Sequence, residues 1–196
     1  MKHFLATLLC AGLAALPAAA QETDATDQSV FIFGGRYHSG HQEDIFTPLG
    51  PFGFDYEDNY VFGAGYQQFF YTMGDLRFGL EAGTAIGVGD AVRGEIWGGV
   101  VGRYDGIDLG PVTVSPAVTF GLSAITNTIG IESNRIAPGA DPTLLFYVAP
   151  EISVWQNDHP ELEYFFRIQH RSGAGGLLGG MGDGHNAAAI GVRYKF

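Results

Sequence analysis

The chain has 196 residues, enough for one domain of ordinary size, with 16% charged residues and 30 glycines. Its formal net charge is −11 and its few Lys and Arg form no cluster, which argues against nucleic acid as a partner, since phosphate contacts need grouped cations. Beyond the N-terminal segment no run of 18 or more apolar residues occurs, which argues against a helical membrane protein.

Residues 1–20 read as a secretory signal peptide. Lys2 and His3 form a short basic region, residues 4–16 are apolar, Pro17 breaks the run, and Ala18, Ala19 and Ala20 supply small residues for cleavage before Gln21. The sole cysteine, Cys10, lies in this segment, and Leu9 before it is too large for a typical lipoprotein cleavage site. The mature chain is then free of disulfides, which suits export through an oxidising periplasm. Residues 21–28 are a polar, acidic lead-in to a β domain over residues 29–196.

From there, alternating runs follow one another. Run 29–38 gathers Phe31, Phe33, Gly35 and Tyr37 on one side, and run 60–71 gathers Tyr60, Phe62, Ala64 and Tyr66. Run 76–88 sets Leu76, Phe78, Leu80, Ile86 and Val88 against Arg77 and Glu81, and run 92–104 sets Val92, Ile96 and Val100 against Arg93, Glu95, Trp97 and Arg103. Run 112–124 has Val114, Val118, Phe120 and Leu122 on its apolar side, and run 143–155 has Leu144, Phe146, Val148 and Ile152 opposite Glu151 and Ser153. Run 162–172 places Leu162, Tyr164, Phe166, Ile168, His170 and Ser172 together, opposite Glu163, Phe165, Arg167, Gln169 and Arg171. Run 186–196 places Ala188, Ile190, Val192, Tyr194 and Phe196 opposite Arg193 and Lys195.

These are eight strands of about ten to thirteen residues, the length of a tilted strand crossing a bilayer and longer than ordinary sandwich strands. The charged faces carry both signs among many glycines, which fits a narrow, filled barrel interior better than an open pore. Connectors 72–75, 105–111 and 157–160 are compact, while 39–59, 126–142 and 173–185 are long, as in barrels with short periplasmic turns and long outer loops. Only 89–91 is short where a long loop is expected. The reading is an all-β, eight-stranded antiparallel up-and-down transmembrane β-barrel in the bacterial outer membrane; a soluble barrel or sandwich is the competing arrangement.

With both ends of the chain inside, run 162–172 travels outward and ends at the outer leaflet. His170 and Ser172, two apart, share its apolar, lipid-facing side. A serine becomes a nucleophile when a neighbouring base takes its proton. The spacing alone is common, but an imidazole at the edge of hydrocarbon is costly without a purpose; an interfacial polar girdle is the alternative.

The segment Phe166, Arg167, Ile168, Gln169, His170, Arg171, Ser172, the glycine-rich loop after it and the terminal Val192, Arg193, Tyr194, Lys195, Phe196 resemble the lipid A 3-O-deacylases of the PagL family. The resemblance implies an eight-stranded outer-membrane barrel acting as a carboxylic ester hydrolase on lipid A within lipopolysaccharide, releasing a 3-hydroxy fatty acid, with no cofactor and no metal. It implies Ser172 as nucleophile and His170 as general base, at the outer leaflet. Two departures stand out. Gly173 follows the serine where the family has Asn, which leaves backbone N–H groups of Gly173 and Ala174 to hold the oxyanion. The family's Glu falls near Asn186, so the third role goes to Asn186 ahead of Asp183, with His185 a weaker candidate. The oligomeric expectation is a monomer or homodimer. The rival reading is a non-catalytic small barrel of the OmpA or adhesin type that binds partners through its loops.

The remaining polar residues read blandly. His38, His41, Glu43 and Asp44 form a solvated loop sooner than a metal site. Asp55, Glu57 and Asp58 are expected at the outer surface, where divalent cations bridging lipopolysaccharide phosphates are an unspecific possibility. His159 belongs to an exposed inner turn, and Trp97 and Trp155 to the barrel filling.

Overall fold

Strict alternation along each run produces a wall one residue thick. A computed structural model describes residues 27–40 and 50–196; the signal segment, nearly all of the lead-in, and His41, Glu43 and Asp44 lie outside the described residues. The strands are β1 (Gln28–His38), β2 (Tyr56–Met73), β3 (Leu76–Val88), β4 (Val92–Tyr104), β5 (Ile107–Asp108), β6 (Val112–Ile125), β7 (Leu144–Gln156), β8 (Leu162–Ser172) and β9 (Asp183–Lys195). Neighbours pair antiparallel in the order β4-β3-β2-β1-β9-β8-β7-β6, and β4 pairs with β6 to close the ring. The two-residue β5 is an extra pairing on β6 within the turn after β4. The result is a closed eight-stranded transmembrane barrel.

Outward positions such as Leu80, Ile96, Phe120 and Ile190 are exposed apolar residues, while Glu81, Arg93, Arg167 and Arg193 on the inward face are almost completely buried. The strand β1 is apolar on both faces, so alternation alone does not say which side looks in. The glycines opposite it decide. A Cβ at Gly63 or Gly65 would come within 2.3 Å of the Phe33 or Phe31 ring, so β2 leaves room inside for those rings. Phe31, Phe33 and Tyr37 therefore fill the interior, and Val30 and Ile32 face outward.

Inside, two ion clusters are separated by an aromatic layer that includes Trp97 stacked on Tyr147, with ring centroids 5.6 Å apart. Toward the inner end, Arg167 grips Glu81 with both Nη atoms at 2.8 and 2.7 Å and donates from Nε to Glu151 at 2.9 Å. Arg193 bridges Glu151 and Glu163, and Arg103 donates to Glu163. Toward the outer end, Arg93 joins Glu95 and Glu132 at 2.7 and 2.8 Å, and Arg171 also binds Glu132. Glu132 comes from a short helix, α1 (Ile131–Asn134), carried by the long loop 126–143, which lowers a carboxylate into the barrel mouth. Burying charge is tolerable only when each charge is paired and hydrogen-bonded, and here Arg and Glu alternate through the lumen. The interior is a packed core, as the mixed charges imply.

On the outer wall the end of the β1–β2 loop folds back. A 3₁₀ turn (Gly50–Gly53) leads to Phe54, which packs on Ile168 and Ala188 and stacks on His38 at 4.0 Å. This explains why Ile168, an outward residue, is buried.

Candidate active site

Near its outer end β8 alternates Ile168, His170 and Ser172 outward with Gln169 and Arg171 inward. Arg171, between the two candidate residues, donates to Ser123 Oγ at 3.0 Å and to the Pro142 carbonyl at 2.9 Å, besides pairing with Glu132. Those bonds fix the strand end from inside while His170 and Ser172 point the other way, each partly buried. On β9, His170 pairs with Asn186, but Ser172 pairs with Asp183. Gly184 and His185 thus stand opposite Arg171 alone, a β-bulge that re-aims the side chains on either side of it.

The register brings Asn186 to His170. Asn186 Nδ2 donates to the Gly40 carbonyl at 2.5 Å, which leaves its Oδ1 to accept, and His170 Nδ1 lies 2.5 Å from that Oδ1. An amide so oriented requires the proton on His170 Nδ1, leaving Nε2 as the basic nitrogen. Asn186 is itself buried.

Ser172 Oγ donates to the Gly182 carbonyl at 3.2 Å and accepts the Ala174 N–H at 3.0 Å. The Gly173 N–H donates to the same Gly182 carbonyl at 2.8 Å. Both N–H groups expected to hold an oxyanion thus have partners here: Gly173 a backbone carbonyl, Ala174 the serine itself. The loop after Ser172 doubles back tightly, with Leu178 N–H donating to Gly173 O at 3.0 Å and Met181 fully buried. A Cβ on Gly173 would stand 2.0 Å from the Met181 carbonyl, so this loop has no space for the Asn found there in the resembled family. Ala174 adopts φ 52°, a left-handed conformation that non-glycine residues rarely take and that aims its N–H at Ser172.

The other sequence candidates fall elsewhere. Asp183 is exposed on the far side of the bulge, opposite Ser172 rather than His170. His185 turns into the lumen, stacked on Tyr37 at 4.2 Å with Nε2 3.1 Å from Glu57 Oε1, so the wall separates it from His170. Asp55, Glu57 and Asp58 do not converge: Asp55 accepts from Ser39, Glu57 binds His185, and Asp58 pairs with Arg36. Among the described residues no group of three or more His, Cys, Asp and Glu is placed to hold a metal ion. His38, expected in a solvated loop, is instead the last residue of β1 and fully buried, in one row across the wall with Asn186 and His170. Its alternation with Ile32, Gly34 and Arg36 was the available signal.

Below the site, the outer wall carries an apolar groove of about 820 Å³ lined by Ile32, Ile152, Tyr164, Phe166, Ile190 and Val192 among others. Phe166 lies on the same face as His170, four residues or about 13 Å down the strand.

No family model matches the chain, and no curated protein sequence matches it. Among solved structures it is similar to the outer membrane enzyme PagL, with a TM-score of 0.54 at 12% identity over 86% of this chain and 99% of that one. It is also similar to Neisserial surface protein A, with a TM-score of 0.51 at 14% identity over 87% and 97% of the two chains. At these identities the likeness is one of fold, that of small outer-membrane barrels.

Proposed function

We propose that the protein is an outer-membrane serine esterase that hydrolyses the 3-position acyl ester of lipid A from the lipid-facing side of its wall. The observation that carries this reading is the hydrogen bond from His170 to an Asn186 amide whose orientation Gly40 fixes. It holds a histidine in one tautomer on the outward face at the outer rim, two residues along β8 from Ser172. The apolar groove lower on the same wall offers an acyl chain a course along the strands.

In the reaction, Ser172 Oγ–H leaves the Gly182 carbonyl and turns to His170 Nε2, which takes its proton as Oγ attacks the ester carbonyl. As Oγ becomes an ester oxygen it no longer needs the Ala174 N–H, which is then available to the developing oxyanion. His170 returns the proton to the departing sugar oxygen, and the same base activates water to free the 3-hydroxy fatty acid. Asn186 orients the imidazole but brings no negative charge to the imidazolium, so turnover is expected below that of a site with a carboxylate there.

Mixing the detergent-solubilised barrel with lipopolysaccharide and following lipid A by mass spectrometry tests this, the expected change being loss of one 3-hydroxyacyl group. Asn186→Ala should slow the loss by roughly 10²–10⁴-fold, whereas Asp183→Ala should leave it nearly unchanged. The reverse ranking would transfer the orienting role to Asp183. A non-catalytic barrel is the second reading, favoured by the bond of Ser172 Oγ to Gly182 O in place of His170; it predicts intact lipid A throughout.

A further inference from the structure

Ester hydrolysis leaves one feature of the outer wall unused. Among the described residues, Arg77, Arg93, Arg103, Arg167, Arg171, Arg193 and Lys195 point into the barrel, and Arg135 is tied to the carbonyls of Ser39 and Gly184 at its mouth. Arg36 is the cation among them that the wall turns outward. It stands on the face that carries His38, beside the row that holds His38, Asn186 and His170. Its side chain leans away from β9 toward β2, where Nε donates to the Glu57 carbonyl at 2.6 Å and Nη2 to Asp58 at 2.7 Å. The rings of Tyr56 and Tyr60 lie 5.7 and 5.6 Å from the guanidinium carbon. Nη1 makes no hydrogen bond to the described residues, and the side chain is 39% exposed.

An outward arginine is expensive at hydrocarbon depth and tolerable at the headgroups, where tyrosines also settle. Its acidic partner holds it loosely: the Asp58 side chain is 94% exposed, and exposed ion pairs are weak. A phosphate, by contrast, accepts two parallel guanidinium bonds and carries more charge than one carboxylate.

We propose that Arg36, flanked by Tyr56 and Tyr60, binds the phosphate of a phosphorylated glycolipid and so selects the substrate's headgroup. From β8 to β2 is three strand spacings, so the phosphate lies roughly 14 Å from His170 across the wall. The assignment deepens the esterase reading and rests on it for the identity of the bound lipid, but binding is measurable without turnover.

The test uses the Ser172→Ala barrel in neutral detergent micelles, titrated with a bisphosphorylated acylated glucosamine disaccharide or with the same lipid after phosphatase treatment. The phosphorylated form should bind about tenfold more tightly. Adding Arg36→Gln should abolish that preference while leaving the dephosphorylated lipid unaffected. Adding Asp58→Asn should increase it, because the competing carboxylate is gone. A preference that survives Arg36→Gln, or an equal loss for both lipids, overturns the proposal. So does weaker binding of the phosphorylated lipid in Asp58→Asn, which would make the Arg36–Asp58 pair a structural brace. Equal retention of phosphatidylglycerol would show a general anionic-lipid contact and end the glycolipid assignment. Heat-dependent gel migration checks that each variant is folded, and failure of the esterase reading would appear separately, as absence of turnover by the protein with Ser172 intact.

Discussion

Ser172→Ala and His170→Ala are each expected to lower lipid A deacylation by roughly 10⁴–10⁶-fold, and the double substitution should be no worse than either alone. The non-additivity follows from the proposed chemistry: a nucleophile and its base act as one unit, so losing either removes the same step. Neither change should unfold the barrel. Both side chains lie on the outer face, and Ser172 Oγ bonds only a carbonyl and an N–H of its own loop. Losing such a bond costs about 0.5–1.5 kcal/mol, small beside the closed ladder of strands. The check is the rate from mass spectrometry, alongside heat-dependent gel migration. Turnover that persists in both variants would remove this pair from the mechanism even if the protein is an esterase.

Arg167→Met should destabilise the barrel by about 3–5 kcal/mol, the range found when one partner of a buried ion pair is removed. Arg167 is buried with Glu81 and Glu151 both on its guanidinium, and its carbon lies 4.8 Å from the centre of the Phe31 ring. Without it two carboxylates face each other in the lumen. Glu81 keeps Gln67, Trp97 and Thr119 as donors, and Glu151 keeps Arg193, so the variant should fold but unfold at lower urea concentration. Adding Glu81→Gln, which removes the one carboxylate of the two left without a cation, should recover most of the loss. Equilibrium urea unfolding in lipid vesicles measures all three proteins. A loss below about 1 kcal/mol, typical of exposed pairs, would mean that the lumen is wetter than its packing implies.

These two expectations belong to opposite faces of the same strand. Arg167 and Arg171 anchor β8 from inside, and the residues between and beyond them, Ile168, His170 and Ser172, are thereby held outward. A rigid wall suits the proposed esterase: a lipid A substrate is already concentrated in the bilayer, so such an enzyme has only to hold a few groups still at the right depth.

Much of that arrangement is legible in the sequence, because period-two alternation is unambiguous wherever one face is ionic. Glu163, Arg167 and Arg171 define the inside of β8, and the placement of His170 and Ser172 outside follows. The alternation of short and long connectors likewise reads directly, except at 89–91, which is short between β3 and β4. β1 is different, since Phe31 and Phe33 on one face and Val30 and Ile32 on the other are equally apolar; glycines of a different strand settle its orientation. Counting residues also misses the bulge. Two residues of β9 against one of β8 put Asn186 beside His170 and Asp183 beside Ser172, which spacing from the chain end does not reveal. Glu132 is the hardest case: a lone acid in a long loop reads as solvated until the fold lowers it between Arg93 and Arg171.

The most direct measurement is covalent labelling of the folded barrel in micelles with a long-chain fluorophosphonate, followed by intact mass and peptide mapping. A serine paired with an oriented base predicts one adduct per chain, on Ser172, lost in His170→Ala and strongly slowed in Asn186→Ala. An unlabelled protein, or an adduct on any other serine, would contradict it.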